Sequence, residues 1–224
     1  MKRLSFIIGL LIIPISYSTA AQHKNDIYFT ELKKIALLID SANPEFKRAL
    51  QVCADKGNYY CSMGLGETNA KEENYIDAIS NFKQCSEKCD GWCDFGLGII
   101  YYEGIEVLQN DEKAIFYFKK AANLGLPNAA YNLAAIYEDK KSNGAYRYSD
   151  EGAKQYSNYA ILEYAWLKIA MALGRKDYIS KIDGKIPIAK VFDARKFGLA
   201  SDGLLQQGDN MATQICSKNK FCKK

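Results

Sequence analysis

The stretch CDFGLGIIYYEGIEVLQNDEKAIFYFKKAANLG, from Cys93 to Gly125, has the pattern of two amphipathic helices joined by a turn. In its second half Asn110 can cap a helix, acidic residues open the first turn, and lysines lie toward the end. Gly125 then stops the helix. The stretch predicts a helix hairpin.

The pattern recurs along the chain, which indicates repeats. Leu97, Gly98 and Tyr101 are matched 36 residues later by Leu133, Ala134 and Tyr137. Upstream, two cysteine pairs with seven intervening residues, CADKGNYYC and CSEKCDGWC, start 32 residues apart. A fixed interval of this size is typical of a repeat architecture. No strand-like alternation is long enough to compete, so the prediction is an all-α protein of stacked hairpins.

The N-terminus predicts export. Lys2 and Arg3 precede the largely apolar run LSFIIGLLIIPI, and the small residues of SYSTAAQ follow. This run is too short to span a bilayer stably, so we expect a secretory signal cleaved near Ala20 or Ala21. The alternative is an anchor that stays in the membrane. An exported chain meets an oxidising space, where its cysteine pairs favour disulfides over metal ligands.

Composition and charge agree with an ordered protein. Hydrophobic residues make up 48% and there are four prolines, which argues against disorder. Without Lys2 and Arg3 the 30 basic residues fall to 28, against 26 acidic ones. This near-neutral charge gives no indication of nucleic acid.

The run from Cys93 to Gly125 resembles the Sel-one-like (Sel1-like) repeat, a relative of the tetratricopeptide repeat, at its LG, Y, G, V, KA and KKAA..G positions. Further units start at Cys61 and Ala129, and EYAWLKIAMALG looks like the second helix of a last repeat. ARKFGLASDGL is similar to the closing helix of such arrays. The resemblance implies a right-handed αα-hairpin solenoid. The expected organisation is a signal peptide at 1–21, an N-terminal helical cap at 22–43, the repeat array at 44–205 and a solvated C-terminal tail at 206–224.

The resemblance also implies a disulfide set. In secreted, cysteine-rich members, such pairs tie one repeat's second helix to the next repeat's first helix. The implied bridges are Cys53 with Cys61 and Cys85 with Cys93, while Ala121 and Ala129 occupy the third equivalent pair of positions. Cys216 and Cys222 are expected to clip the tail. Cys89 is then the odd cysteine, which stays a thiol, exchanges with a bridge or bonds to another chain.

Catalytic candidates are few. The one histidine, His23, lies just after the expected cleavage site, so the folded body has no histidine for a triad or a metal site. The resemblance to cysteine-rich relatives raises β-lactam binding, and two S-x-x-K strings start at Ser80 and Ser217. A serine nucleophile of this type needs a desolvated lysine and further motifs, and neither S-D-N nor K-T-G is present. We therefore expect no enzyme, no metal and no cofactor, with a β-lactam-reactive enzyme as the alternative.

What remains is a surface for a protein or peptide partner. On the first helix of each hairpin, the side opposite the LG and Y positions lines the concave surface of tetratricopeptide-type arrays. The positions on it are Tyr60, Met63, Glu67, Trp92, Phe95, Ile99, Glu103, Asn128, Tyr131 and Ala135. Aromatic side chains there suit a protein ligand. The alternative is that some of them pack against the neighbouring hairpin.

A second candidate surface is the polar insertion EDKKSNGAYRYSDEGAKQYSNYA, residues 138–160, with Tyr146, Arg147 and Tyr148 at its centre. Insertions in repeats often map to loops on the binding face. An idle loop is the alternative. The sequence thus predicts an exported, non-catalytic binding protein, either an adaptor or regulator in the periplasm or an immunity protein that neutralises a toxic secreted effector.

Overall fold

The computed structural model describes residues 44–89, 91–143, 150–174 and 202–222, and every regular element in them is an α-helix. The expected all-α repeat fold is confirmed. In chain order the helices are α1 (Pro44–Asp55), α2 (Tyr59–Lys71), α3 (Tyr75–Cys85), α4 (Trp92–Glu103), α5 (Asp111–Asn123), α6 (Pro127–Asn143), α7 (Asp150–Ala172) and α8 (Asp202–Lys218). The hairpins α2–α3, α4–α5 and α6–α7 correspond to the three repeat units read from the sequence.

The described residues divide into two compact units, residues 44–89 and the described residues from 91 onward. In the first unit, α1 packs on α2 and α2 packs on α3. Phe46 and Leu50 of α1 meet Cys61 and Leu65 of α2 in a small core. The disulfide between Cys53 and Cys61, with a Cα–Cα distance of 5.8 Å, fixes the turn between these two helices.

In the second unit, α4 packs on α5, α5 on α6, α6 on α7 and α7 on α8. A segment outside the described residues separates α7 from α8 along the chain. Leu97, Phe118, Leu133, Ile136 and Ile169 are fully buried and come from four of these helices. The apolar face of each hairpin thus contributes to a shared core.

Glycine at the LG position allows the two helices of a hairpin to touch. A Cβ atom on Gly66 would lie 2.5 Å from the Phe82 ring, and one on Gly98 would lie 2.6 Å from the Phe118 ring. Real Cβ atoms do not approach so closely, so each aromatic ring occupies the space that a larger residue would need. This is the close helix approach that the sequence pattern predicts.

The insertion at 138–160 is mostly helix, which differs from the polar loop expected. Glu138–Asn143 lengthens α6 and Asp150–Ala160 forms the start of α7. The rings of Tyr137 and Tyr159 stack with centroids 6.2 Å apart, and a buried ion pair joins Lys141 to Glu163. These two contacts hold the C-terminal part of α6 against α7. Tyr146, Arg147 and Tyr148 lie outside the described residues.

The C-terminal segment is also more structured than expected. Helix α8 crosses the boundary placed at residue 205 and packs on α7, where Gly208 lies against the Tyr164 ring. The Tyr164 hydroxyl donates a hydrogen bond of 3.1 Å to Asp209, which also pairs with Lys168. Residues 206–222 are therefore part of the folded body.

After α8 the chain turns back onto the α5–α6 connection. The buried Asn219 side chain donates a 2.9 Å hydrogen bond to the carbonyl oxygen of Ala122, and the Phe221 ring fills the space above Gly125. A disulfide between Cys216 and Cys222 closes this loop. The expected solvated tail is thus wrong for the described residues, because its Asn219 and Phe221 side chains pack on the repeat.

The remaining cysteines lie around the end of the first unit. Cys85 and Cys93 are each in a disulfide, and the buried Cys89 keeps its thiol. The expected signal peptide at 1–21 and cap at 22–43 lie outside the described residues, as does most of the expected closing helix. Within the described ranges, no helix is long and apolar enough to cross a bilayer.

Candidate protein-binding surfaces

Phe95 belongs to the core of the second unit. Its side chain is 3% exposed, with the Trp92 ring 5.8 Å away on one side and the Phe118 ring 5.7 Å away on another. The expectation that Phe95 lies on a binding surface is wrong, because helix α5 brings Phe118 against it. The sequence pattern placed Phe95 on the correct helix but could not show which neighbour covers it.

The other positions of this face are half-buried. In the second unit these are Trp92, Ile99, Glu103, Asn128, Tyr131 and Ala135. Each keeps part of its side chain in contact with solvent and part in contact with the fold. Tyr131 lies 36 residues after Phe95 and occupies the position in α6 that Phe95 occupies in α4, yet it is half-buried rather than buried. The two repeats therefore share the position of this residue on the helix, but its side chain is more exposed in the second of them.

The first unit carries a depression between α1 and the start of α2. It has a volume of about 910 Å³. Its lining residues are Glu45, Arg48, Ala49, Val52, Cys53, Lys56, Gly57, Asn58, Tyr59 and Tyr60. Tyr60 was expected on a binding surface, and the structure places it here. Met63 is half-buried on the same helix and is not among the lining residues.

Apart from Cys53, the α1 residues of this depression were not found by sequence reasoning. Arg48, Ala49 and Val52 are exposed, whereas Phe46 and Leu50 face the core. A glycine at φ 84°, Gly57, ends the helix, and the Asn58 side chain caps α2 by accepting from the Tyr60 N–H at 3.0 Å. The tight Gly57–Asn58 turn brings the side chains of two helices to one place. The signal available was the exposed Val52, which breaks the polar pattern of that side.

Glu67, one turn beyond Met63 on α2, is a half-buried acid. Burial raises the pKa of the Glu67 carboxyl, and the charge of Lys71 four residues later offsets part of that increase. An acid with a raised pKa in a cleft can mark a functional site, but it can equally be a cost of packing.

A buried charge supports the face of α4 in the second unit. Asp94 is fully buried, and its carboxylate lies 3.5 Å from the Lys120 ammonium of α5. Lys120 also lies over the rings of Phe116 and Tyr117. This arrangement holds the start of α4 on α5 and fixes where Trp92 is presented.

Polar contacts join the far ends of α4, α5 and α6. The Tyr102 hydroxyl donates to Asp139, and Lys140 pairs with Asp111 at 2.9 Å. Burial, and then the hydrogen bond to Asp139, raise the pKa of Tyr102 well above its ordinary value. Tyr102 therefore stays protonated and acts as a hydrogen-bond donor between repeats.

Neither S-x-x-K string has the geometry of a reactive serine. Ser80 and Lys83 are both exposed on α3. Ser217 is exposed near the end of α8 and its hydroxyl donates to the Gln214 carbonyl at 2.8 Å, while Lys220 is exposed. A serine nucleophile of this type needs a lysine beside it that is removed from water, whereas both of these lysines are exposed.

The fold and these surfaces define an αα-hairpin repeat protein that presents side chains on its first helices. The family model described as the Sel1 repeat matches residues 93–126, which are α4, α5 and the turn that follows. The chain is similar to the putative sel1-like repeat-containing protein L21 of Acanthamoeba polyphaga mimivirus, with 29% identity over 135 residues. Residues 93–126 thus match a Sel1 repeat, as the resemblance predicted.

The similarity to the mimivirus protein covers only part of each chain. The alignment covers 58% of this chain and 25% of the mimivirus protein, so the chain matches about a quarter of that relative's length. No solved structure matches significantly. Sel1 repeats mediate protein–protein interactions, and the family is generally non-catalytic.

Proposed function

We propose that the protein is an exported, non-catalytic repeat protein that binds another protein in the periplasm or outside the cell. Its role there is that of an adaptor or regulator, or of an immunity protein that neutralises a toxic secreted effector. The observation that carries the proposal is the pair of half-buried aromatic residues, Trp92 and Tyr131, on the first helices of consecutive Sel1-like repeats. Such side chains are common anchors in protein interfaces.

The disulfides support export. Bridges such as Cys53–Cys61 and Cys216–Cys222 persist in oxidising compartments and are rare in the cytosol. The basic start and apolar run of the first 21 residues agree with this, since they have the order of a secretory signal.

The binding proposal is tested by substitution of the two anchors. The partner is captured from an exported fraction of the native cells and identified by mass spectrometry, and its affinity is measured by calorimetry. Trp92→Ala and Tyr131→Ala should each weaken binding about thirtyfold, which corresponds to roughly 2 kcal/mol, with helicity and melting temperature almost unchanged.

Two variants serve as controls. Leu108→Ala removes an apolar side chain of the same unit that is 92% exposed, and it should leave affinity unchanged. Phe95→Ala should lower the free energy of unfolding by roughly 3 to 5 kcal/mol, because it empties a core site. Equal affinity of the wild type, Trp92→Ala and Tyr131→Ala would reject this face as the binding surface.

The immunity role and the adaptor role differ in their genetic context. A toxin or phospholipase effector gene beside this one, with protection of target cells by the purified protein, would favour immunity. The β-lactam alternative is tested by nitrocefin turnover, and we expect none, since both S-x-x-K lysines are exposed.

A further inference from the structure

We propose that the depression on the first unit binds an acidic segment of a protein partner that carries one aliphatic or aromatic side chain. This inference rests on the proposed function, since it names the chemistry of the partner. It concerns residues 44–89 alone.

The apolar part of the depression includes two large side chains that are about half exposed to solvent. Val52 is 50% exposed and Tyr59 is 46% exposed. Ala49 and Val52 lie three residues apart on one side of α1, whereas Phe46 and Leu50 fill the core on the other. Burial of Val52 and Tyr59 by a ligand would remove apolar surface from water, which favours binding.

The charged part of the depression is mainly basic. Arg48 and Lys56 both line it, and neither has an acidic partner within the part of the chain that the structure describes. Lys47, which is next to Arg48, is already paired with Glu72. The ammonium of Lys88 lies 5.5 Å above the centre of the Tyr59 ring, which adds a third positive charge at the edge. One carboxylate, Glu45, is among the lining residues.

These charges complement an acidic ligand. Two cations, Arg48 and Lys56, line the depression with one carboxylate, and Lys88 lies over the Tyr59 ring, so positive charge is in excess at this site. The depression also includes the first turn of α2, where the helix dipole adds to the positive potential. Electrostatic complementarity of this kind selects the partner and speeds its association.

The size and apolar content favour a peptide over a small anion. A volume of about 910 Å³ accommodates several side chains, whereas a phosphate or carboxylate alone would leave Val52 and Tyr59 in water. A segment with acidic residues around one apolar side chain satisfies both parts of the depression at once.

The test measures fluorescence anisotropy of the full chain with four labelled probes. The first is an octapeptide with six glutamates around a central leucine–phenylalanine pair. The others replace the glutamates by lysines, replace the central pair by two serines, or use an eight-nucleotide oligothymidylate. We expect the first probe to bind at least tenfold more tightly than each of the others. Equal binding of the lysine peptide or of the oligonucleotide would overturn the proposal.

Variants then locate the site. Arg48→Glu and Lys56→Glu should each weaken binding of the first peptide about tenfold or more, and Val52→Asp should do the same through the apolar part. Lys83→Glu reverses an exposed lysine of the same unit outside the depression and should change nothing. Circular dichroism checks that each variant is folded. Unchanged affinity in Arg48→Glu and Lys56→Glu would reject the site.

A photo-reactive side chain at position 52 identifies the occupant directly. A cross-link from position 52 to the acidic peptide supports the proposal, while a cross-link to the chain's own residues before Pro44 that excludes the peptide would overturn it. The two proposals fail separately. If the peptide does not bind but Trp92→Ala still weakens capture of the protein partner, the depression is not a site and the proposed function stands. If the peptide binds as expected but no partner is captured, the proposed function falls.

Discussion

At the scale of single residues, the unusual feature is the charge that the fold buries. Asp94, Lys141 and Glu163 are all buried, and each has an opposite charge beside it. The sequence pattern noted that Glu163 stands where these repeats use a small residue, but the pattern could not supply its partner. The structure supplies it because the insertion lengthens α6 by enough turns to bring Lys141 opposite Glu163.

The Lys141–Glu163 pair predicts a strong dependence on both partners. Lys141→Met leaves a carboxylate buried without its cation and should lower the free energy of unfolding by roughly 3 to 5 kcal/mol. The double variant Lys141→Met, Glu163→Leu should regain most of that loss, because both charges are removed together. Urea denaturation of the wild type, the two single variants and the double variant measures this. Additive losses in the double variant would show that the two charges are not coupled.

The raised pKa of Glu67 predicts that removal of its negative charge stabilises the folded chain, by an amount that depends on pH. Because burial raises its pKa in the folded state above the ordinary value of 4.5, the folded chain holds the proton more tightly than the unfolded chain. The contribution of Glu67 to stability is therefore most favourable below about pH 4.5 and is lost as the pH rises through its folded pKa. Glu67→Gln should raise the melting temperature at pH 7, and this gain should shrink toward pH 4. The exposed Glu138→Gln provides the comparison, and a gain from Glu67→Gln that stays constant with pH would contradict the assignment.

At the scale of helices and their connections, the turn between α5 and α6 is held differently from the turn between α1 and α2. A disulfide joins Cys53 to Cys61, whereas the equivalent positions at the later turn are the buried residues Ala121 and Ala129. The C-terminal loop packs on this later turn instead, through Asn219 and Phe221. The Cys216–Cys222 bridge closes that loop. A disulfide from another part of the chain therefore supports the α5–α6 turn, where alanines replace the cysteines.

This arrangement predicts that Asn219 and the terminal bridge act together. Asn219→Ala should cost about 1 kcal/mol of unfolding free energy, because Ala122 loses a hydrogen bond. Cys216→Ser with Cys222→Ser should cost about 2 kcal/mol, the value for closure of so short a loop. The combined variant should lose less than the sum, since both changes release the same segment. Ser217→Ala is the matched control on the exposed side of the loop, and full additivity by urea denaturation would argue against a shared role.

Disulfide mapping tests the register of the repeats. Non-reducing peptide mapping should find Cys53 joined to Cys61, Cys216 to Cys222 and Cys85 to Cys93, with the thiol on Cys89. The last pair remains a prediction from the resemblance to secreted relatives. A peptide that joins Cys85 to Cys89 would place the bridge within one connection and would contradict the repeat register.

At the scale of the whole molecule, the sequence predicted the repeat fold better than the binding surface. The LG and Y positions require close helix contact, and this constraint is local enough to read from Gly66 and Gly98 alone. Phe95 shows the limit, because its burial depends on Phe118 of another helix. The depression shows the same limit, since Arg48, Val52 and Tyr59 come together only after the turn at Gly57 orients two helices. The helical form of the insertion was missed because its polar composition conceals the buried pair and the tyrosine stack.

The proposed export predicts a defined start of the mature protein. N-terminal sequencing or intact mass of the secreted protein should show a start at Ala21 or Gln22, because a signal peptidase reads the small residues before these positions. A soluble form of the exported fraction that begins at Met1 would contradict this expectation. The cytosolic precursor serves as the comparison, since it should retain the first residues.

The contact between Asn219 and Ala122 also determines when the molecule can finish folding. The two residues are 97 positions apart. During synthesis at 5 to 20 residues per second, Ala122 therefore waits roughly 5 to 20 s for its partner to be made. During that interval the C-terminal loop does not yet cover the α5–α6 turn, although the earlier hairpins can already form. The α5–α6 turn thus reaches its final packing only after the C-terminal loop has been made.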